Sequence, residues 1–207
     1  MIKRTSLNIV NDLIQKNLQW KVLDIDCGFT ANKNATVIAD IQDLSNFYSK
    51  KTFIKITDKK LSFKDNEFDF VIASHVIEHV EDFQFFIKEL ERVAKKGYIE
   101  LPTRFGDNLI FENKFDHIWW FVFNDQTYKL VASKRNQLVE PLMSVATGKM
   151  IDSYFRDSMV LELYWEEKIN YVIDEKIQNL NMKKLFFLTI IKKYFSKKLR
   201  AFLKKTN

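Results

Sequence analysis

Along the first half of the chain, short apolar runs rich in β-branched residues alternate with polar stretches, and the period of each run predicts its element. Ser6–Leu18 carries Leu7, Val10, Ile14 and Leu18 at helical spacing behind Thr5 or Ser6 as N-cap, which predicts a first helix. Five runs follow: Lys21–Asp26, Thr36–Asp40, Phe53–Thr57, Phe68–Ser74 and Tyr98–Pro102. Runs apolar on both faces suit strands of a buried parallel sheet. Between the fourth and fifth, Glu81–Lys96 lines up Phe83, Phe86, Ile87, Leu90 and Val93 as a helical stripe. Glu81 and Asp82 suit its positive end, Lys95 and Lys96 its negative end, and Gly97 is expected to stop it. Strand, helix and strand in that order predict a right-handed parallel crossover. After Pro102, Ile118–Phe123 and Tyr128–Ser133 flank Asn124-Asp125-Gln126-Thr127 and predict an antiparallel hairpin. A second is expected around Val160–Trp165 and Ile169–Ile173.

The expected class is therefore α/β, a mostly parallel sheet ending in an antiparallel hairpin. The expected divisions are a core over 1–135, an extension or cap of the same domain over 136–181, and a basic amphipathic helix over 182–207. In that last segment Leu188, Ile191, Phe195, Leu199 and Phe202 fall on one helical face and Lys193, Lys197, Arg200 and Lys204 on the other.

Charge sharpens that division. The chain of 207 residues is +6 overall, but Met182–Asn207 holds nine Lys or Arg and no acid. Removing those nine from the total of 33 leaves 24 bases against 27 acids, so the body is −3. The basic character is local, which argues against a globular nucleic-acid face and for an anionic membrane surface meeting residues 183–205. No nucleic-acid partner is expected, because such arms rarely carry so much Phe, Leu and Ile. The start, Met1-Ile2-Lys3-Arg4, is like that of a signal peptide, but Asn8, Asn11, Asp12 and Gln15 break an apolar core. The expected location is cytoplasmic, peripheral on the inner face of the membrane.

Glycine is scarce: Gly28, Gly97, Gly106 and Gly148 are the full set, where an average chain of this length has about 14. That excludes the phosphate-cradling P-loop and the G-x-G-x-x-G turn. A single cysteine, Cys27, excludes an internal disulfide and a cysteine-based zinc cluster.

Candidate chemistry collects at the strand ends, where open α/β sheets bind ligands. Asp24, Asp26, Cys27 and Gly28 end the first strand, Asp40 the second, Thr57 and Asp58 the third, Ser74 and His75 the fourth. An acid ending the second strand is placed to accept both hydroxyls of a ribose, and one after the third to accept from an adenine amino group. Read singly, each is equally a turn former or helix cap.

Residues 22–102 resemble a class I S-adenosylmethionine-dependent methyltransferase of the type 11 family. Asp24-Ile25-Asp26-Cys27-Gly28 is similar to its first motif, D-x-G-x-G. Leu61-Ser62-Phe63 with Asp65–Val71 resembles L-P-F-x-D-x-x-F-D-x-V, and His75–Val80 matches a variant of S-H-V-L-E-H-V. Gly97–Thr103 fits the fifth strand, and the likeness continues loosely to His117 and Trp119. The resemblance implies a Rossmann-like methyltransferase fold and S-adenosylmethionine as cofactor. It implies that Asp24 holds the methionine amino group, that Gly28 lies along the cofactor, and that Asp40 binds the ribose. It further implies Thr57 or Asp58 at the adenine, and Ser74 and His75 beside the sulfonium. Two departures are visible. Asp26 stands where the motif has its first glycine, so a side chain projects where backbone should approach the ligand. The short spacing from Asp24 to Asp40 implies a shortened first crossover helix, or a loop in its place.

His75-Val76-Ile77-Glu78-His79 also spells the inverted zincin motif H-x-x-E-H. That motif needs one continuous helix, whereas the preceding run reads as a strand, so no metal site is expected. Methyl transfer to a hydroxyl needs positioning and a base, and His75 and His117 are the catalytic candidates. The fourth strand lacks the Asn/Asp-Pro-Pro-Tyr of nucleobase amino methyltransferases, which argues by family analogy for an oxygen acceptor on a small molecule. A glycan or lipid-linked precursor is the extension suggested by the tail. The competing expectation is a catalytically inactive methyltransferase-like binding or scaffold protein at a membrane surface.

Overall fold

The computed structural model describes residues 1–175 and 187–203. In chain order its elements are β1 (Ile2–Arg4), α1 (Leu7–Gln15), β2 (Val22–Ile25), β3 (Val37–Asp40), β4 (Thr52–Lys55) and β5 (Phe70–Ser74). A 3-10 turn over Ile77–His79 leads to α2 (Phe83–Val93), β6 (Lys96–Pro102), α3 (Arg104–Leu109) and α4 (Asn113–Asp116). Then come β7 (Trp119–Asn124), β8 (Lys129–Lys134), α5 (Val145–Met159), β9 (Val160–Glu166), β10 (Tyr171–Ile173) and α6 (Phe187–Leu203).

The main sheet has the order β1-β9-β6-β5-β2-β3-β4, with β2 to β6 parallel and β9 and β1 antiparallel. The fold is Rossmann-like. Every residue of β2 and β3 is buried, as expected of strands covered on both faces. On one face α1 sets Val10 and Ile14 against Val22, Phe70, Ile72 and Tyr98. On the other, Phe83, Phe86, Ile87, Leu90 and Val93 of α2 join Leu23, Ile25, Val71 and Ile99. Each such side chain contributes about 1.5–3 kcal/mol on burial, so α2 is held by its stripe more than by its caps. Asp82 does cap it, its carboxylate accepting from the Phe85 N–H at 3.0 Å.

Several boundaries differ from expectation for identifiable reasons. Gly97 does not stop α2, which ends at Val93; it lies inside β6 because the chains are too close there for a side chain. A Cβ on Gly97 would fall 2.4 Å from the Val71 carbonyl oxygen. The third parallel strand ends at Lys55, so Thr57 and Asp58 lie in the loop beyond it. The expected 118–133 hairpin forms as β7–β8, but it does not finish the main sheet. It pairs with β10 in a separate three-stranded sheet. The antiparallel neighbour of β6 is instead β9, supplied by the 136–181 segment. Accordingly β9 and β10 do not form a hairpin with each other; they join different sheets.

No helix connects β2 to β3. A loop takes its place, and Lys51 holds it by donating to the carbonyls of Asn32, Lys33 and Ala35 at 3.0–3.2 Å. The Tyr48 hydroxyl donates to the Gly28 carbonyl at 2.7 Å and accepts from the Ala31 N–H at 3.1 Å.

In α6, Leu188, Phe195 and Leu199 are exposed, as is Tyr194. Among the described residues no helix is long and apolar enough to cross a membrane. The expected helix residues 182–186 and 204–207 lie outside the described residues.

Candidate active site

The parallel strands reverse direction of progression between β2 and β5, and that switch point is where an open α/β sheet leaves a crevice. Two cavities meet there. The larger, about 720 Å³, is lined by Asp24, Asp26, Gly28, Ser74, His75 and His117 among others. The smaller, about 180 Å³, is an apolar slot walled by Ile41, Ile56, Leu61 and Val76, with Asp58 at its edge. Asp26 lines both.

Asp24 ends β2 with its carboxyl buried. One oxygen accepts from the Asn32 N–H at 2.6 Å, and the other, Oδ1, has no partner. Burial pushes its pKa up to about 7, against the pull of the Asn32 N–H and the Lys51 ammonium. A cation entering the cavity would satisfy that oxygen.

Asp26 takes the left-handed backbone, φ 54°, that its motif position requires and that Asp tolerates better than most residues. Burial and the neighbouring Asp40 charge push its pKa up to about 6. Asp40, buried behind it, is not on the wall of either cavity. Its two oxygens accept from the N–H groups of Gly28 at 2.9 Å and Gln42 at 2.8 Å. Thr57 also lies off both walls, its hydroxyl donating to Asp58 at 3.0 Å.

His75, just past β5, shares the left-handed backbone of Asp26, with φ 57°. Its Nδ1 lies 3.2 Å from Glu78 Oε1 and its Nε2 3.1 Å from Glu100 Oε1. Burial opposes the charge of the ring, but the bonds and charges of Glu100 and Glu78 outweigh it and raise the pKa to about 10. Both ring nitrogens face carboxylates, which favours the imidazolium over a form with a lone pair free to act as a base. Glu100 is in turn held below its ordinary value: burial would raise it, but His75, Tyr98 and Arg156 prevail.

His117 is built differently. Its Nδ1 lies 2.5 Å from Oδ1 of Asp107, a fully buried carboxylate. Trp120 Nε1 donates to Asp107 Oδ2 at 2.5 Å, and Arg135 Nε lies 2.8 Å from the same oxygen. A carboxylate only accepts, so Nδ1 is the donor and Nε2 is the nitrogen that bears the lone pair of the neutral ring. The backbone bond from Ile118 N–H to the Glu78 carbonyl, 2.8 Å, fixes His117 beside the 3-10 turn.

Residues 11–99 match the family model described as a methyltransferase domain. Residues 11–99 thus form a methyltransferase domain of the type 11 family. The uncharacterized protein MJ0638 of Methanocaldococcus jannaschii is 28% identical over 184 residues, 82% of this chain and 76% of that protein. The ubiquinone biosynthesis O-methyltransferase of Pelagibacter ubique is 34% identical over 94 residues, 38% of this chain and 39% of that enzyme. Among solved structures, the PH0226 protein of Pyrococcus horikoshii is 20% identical, with a TM-score of 0.42 covering 77% of this chain and 89% of that one.

The crevice thus brings Asp24, Asp26, Gly28, Ser74, His75 and His117 to one cavity and Asp58 to its annex, while Asp40 and Thr57 lie off both walls. Sequence reasoning missed Glu100, Arg156 and Asp107. Glu100 carried a usable signal, an acid in the middle of an otherwise apolar strand. Asp107 and Arg156 carried none, since their roles depend on partners far away in the chain.

Proposed function

We propose that this methyltransferase acts on an oxygen of a small molecule or of a glycan- or lipid-linked precursor. The observation that carries the reading is the joined pair of cavities with Asp24 Oδ1 unpaired in the wider one and an apolar slot at the other end. The residues fit an S-adenosylmethionine molecule laid across them. Asp24 would accept from its ammonium, Asp26 with Asp40 behind it would face the ribose hydroxyls, and Asp58 would meet the adenine edge in the apolar slot. Ser74 and His75 would flank the sulfur.

The bound donor supplies a methyl carbon made electrophilic by its positively charged sulfur. For this chain's own residues, the work is to align an acceptor oxygen with that carbon and to remove the hydroxyl proton. His75, held between Glu78 and Glu100, offers no free ring nitrogen for that proton. His117, oriented by Asp107, offers Nε2 on the same cavity wall as the group to take the proton.

The competing reading, a catalytically inactive binding or scaffold protein, draws on Asp26 in the glycine position and on Asp40 being occupied by Gly28 and Gln42. Calorimetry with S-adenosylhomocysteine separates the two. Micromolar binding that Asp40→Ala and Asp24→Asn weaken at least tenfold is the expected result. No heat at high micromolar ligand would remove the enzyme reading.

The tail extends the proposal to an anionic membrane surface. Its support is the exposure of Leu188, Phe195 and Leu199 on a segment rich in Lys. The full chain is expected to float with anionic liposomes and a 1–181 truncation to remain behind; equal flotation would defeat this part.

A further inference from the structure

Glu78, His79 and His117 form a constellation that methyl-donor binding leaves unused. One donor atom from each lies within 4.8 Å of the others. We propose that these three residues bind a divalent transition-metal cation at the acceptor side of the cavity, an inference that rests on the methyltransferase reading only for its catalytic consequence.

Four observations converge. Glu78 is fully buried, and its Oε2 has no hydrogen-bond partner, a costly state for a carboxylate oxygen unless a cation completes it. His79 Nδ1 lies 3.0 Å from the Asp116 backbone carbonyl, which can only accept, so Nε2 is the nitrogen left to bind a cation. His117 Nδ1 is held by the Asp107 carboxylate, the outer-shell arrangement that orients metal-binding imidazoles and raises their basicity. The two rings meet edge to face with centroids 4.5 Å apart, against the wall of the larger cavity.

Ligands on one such cation stand about 3–4 Å apart given bonds near 2.1 Å, so a small rotation of the exposed His79 ring closes the site. Two imidazoles and one carboxylate leave coordination positions open, the pattern of zinc, manganese or iron sites that take substrate oxygen. This is not the inverted zincin arrangement. His75 is occupied by Glu78 and Glu100, and the third ligand is His117, which the chain just before β7 brings against His79. The fold supplies what local spacing could not.

In the loaded protein His117 is a ligand, and the cation replaces it in activating the acceptor. An acceptor hydroxyl bound to the metal loses its proton to water. Its oxygen lone pair then forms the bond to the methyl carbon as the carbon–sulfur pair returns to sulfur, leaving a neutral thioether and a methyl ether.

The test uses the full chain after treatment with a chelator, titrated with ZnCl2 or MnCl2 by calorimetry and checked by metal analysis after gel filtration. One cation per chain is expected, with His79→Ala, His117→Ala and Glu78→Gln each weakening binding at least tenfold. His79 is exposed, so His79→Ala should fold normally, as its thermal unfolding without metal will verify. Asp24→Asn should leave cation binding unchanged. No stoichiometric cation, or equal affinity in wild type and His79→Ala, would overturn the proposal. Binding of S-adenosylhomocysteine is measured in parallel, so loss of the methyltransferase reading would be seen separately from loss of the metal site.

Discussion

Glu100 on β6 and Glu162 on β9 stand directly opposite each other across an antiparallel pair, and the Tyr98 hydroxyl lies 2.7 Å from a carboxylate oxygen of each. Like charges opposite one another destabilise a sheet. Here the Arg156 guanidinium reaches both acids and Tyr98 bridges them, so the pair becomes a base on which Glu100 holds His75.

Tyr98→Phe should therefore cost about 1–3 kcal/mol, the price of leaving buried acceptors short of a donor. A lowered melting temperature measured by calorimetry checks it. An unchanged value would mean that Arg156 alone balances the two acids.

His75 ties stability to alkaline pH. Its pKa is about 10 in the folded chain against 6.5 when free. The stabilisation it contributes is complete below about pH 6.5 and is lost as pH rises through 10. Urea midpoints between pH 6.5 and 10 should fall for the wild type, and the fall should be shallower in His75→Gln. Parallel curves would show that other groups govern the alkaline limb.

Asp24 acts in the opposite sense on ligand binding. Because its pKa is pushed up to about 7, it is largely protonated at pH 6 and must ionise to receive an ammonium group. Its raised pKa also means that stability without ligand declines as pH rises from 3.8 through 7. Affinity for S-adenosylhomocysteine should increase several-fold from pH 6 to 8, with proton release seen as a buffer-dependent heat. In Asp24→Asn affinity should be low and nearly independent of pH over that range.

Lys51 substitutes for a helix. Its ammonium gathers three carbonyls of the β2–β3 loop, so Lys51→Met should speed hydrogen exchange over residues 26–36 and weaken S-adenosylhomocysteine binding about tenfold, with a much smaller effect on the melting temperature. Unchanged exchange would place the loop's order in Tyr48 instead.

Elements whose cause is local were legible in the sequence. The apolar runs gave β2, β3, β5 and β6, the stripe from Phe83 to Val93 gave α2, and the short distance from Asp24 to Asp40 implied a shortened crossover helix or a loop, of which the loop is what forms. What was not legible depends on partners remote in the chain. Gly97 looked like a helix stop because nothing nearby reveals that Val71 and Trp165 crowd it. The β7–β8 hairpin was found, but its sheet was misassigned, since only pairing with β10 decides that. At the site, the strand-end acids Asp24, Asp26 and Asp58 reach the walls of the two cavities. That Asp40 lies behind the wall and Asp26 on it follows from the fold of a loop whose spacing carries no such information.

The insertion of β9 between β6 and β1 has a consequence for how this chain reaches its native state. All the parallel strands are complete by Pro102, yet β6 keeps an open edge until residues 160–166 have been made and have crossed to it. Until then β1 has no neighbour either, because its pairing is to β9. Such distant pairing is slow to form, and an uncovered strand with Tyr98, Ile99 and Leu101 is an invitation to other chains. The edge of β6 is thus exposed for as long as residues 160–166 are absent, so synthesis is the interval in which this sheet stands unsealed.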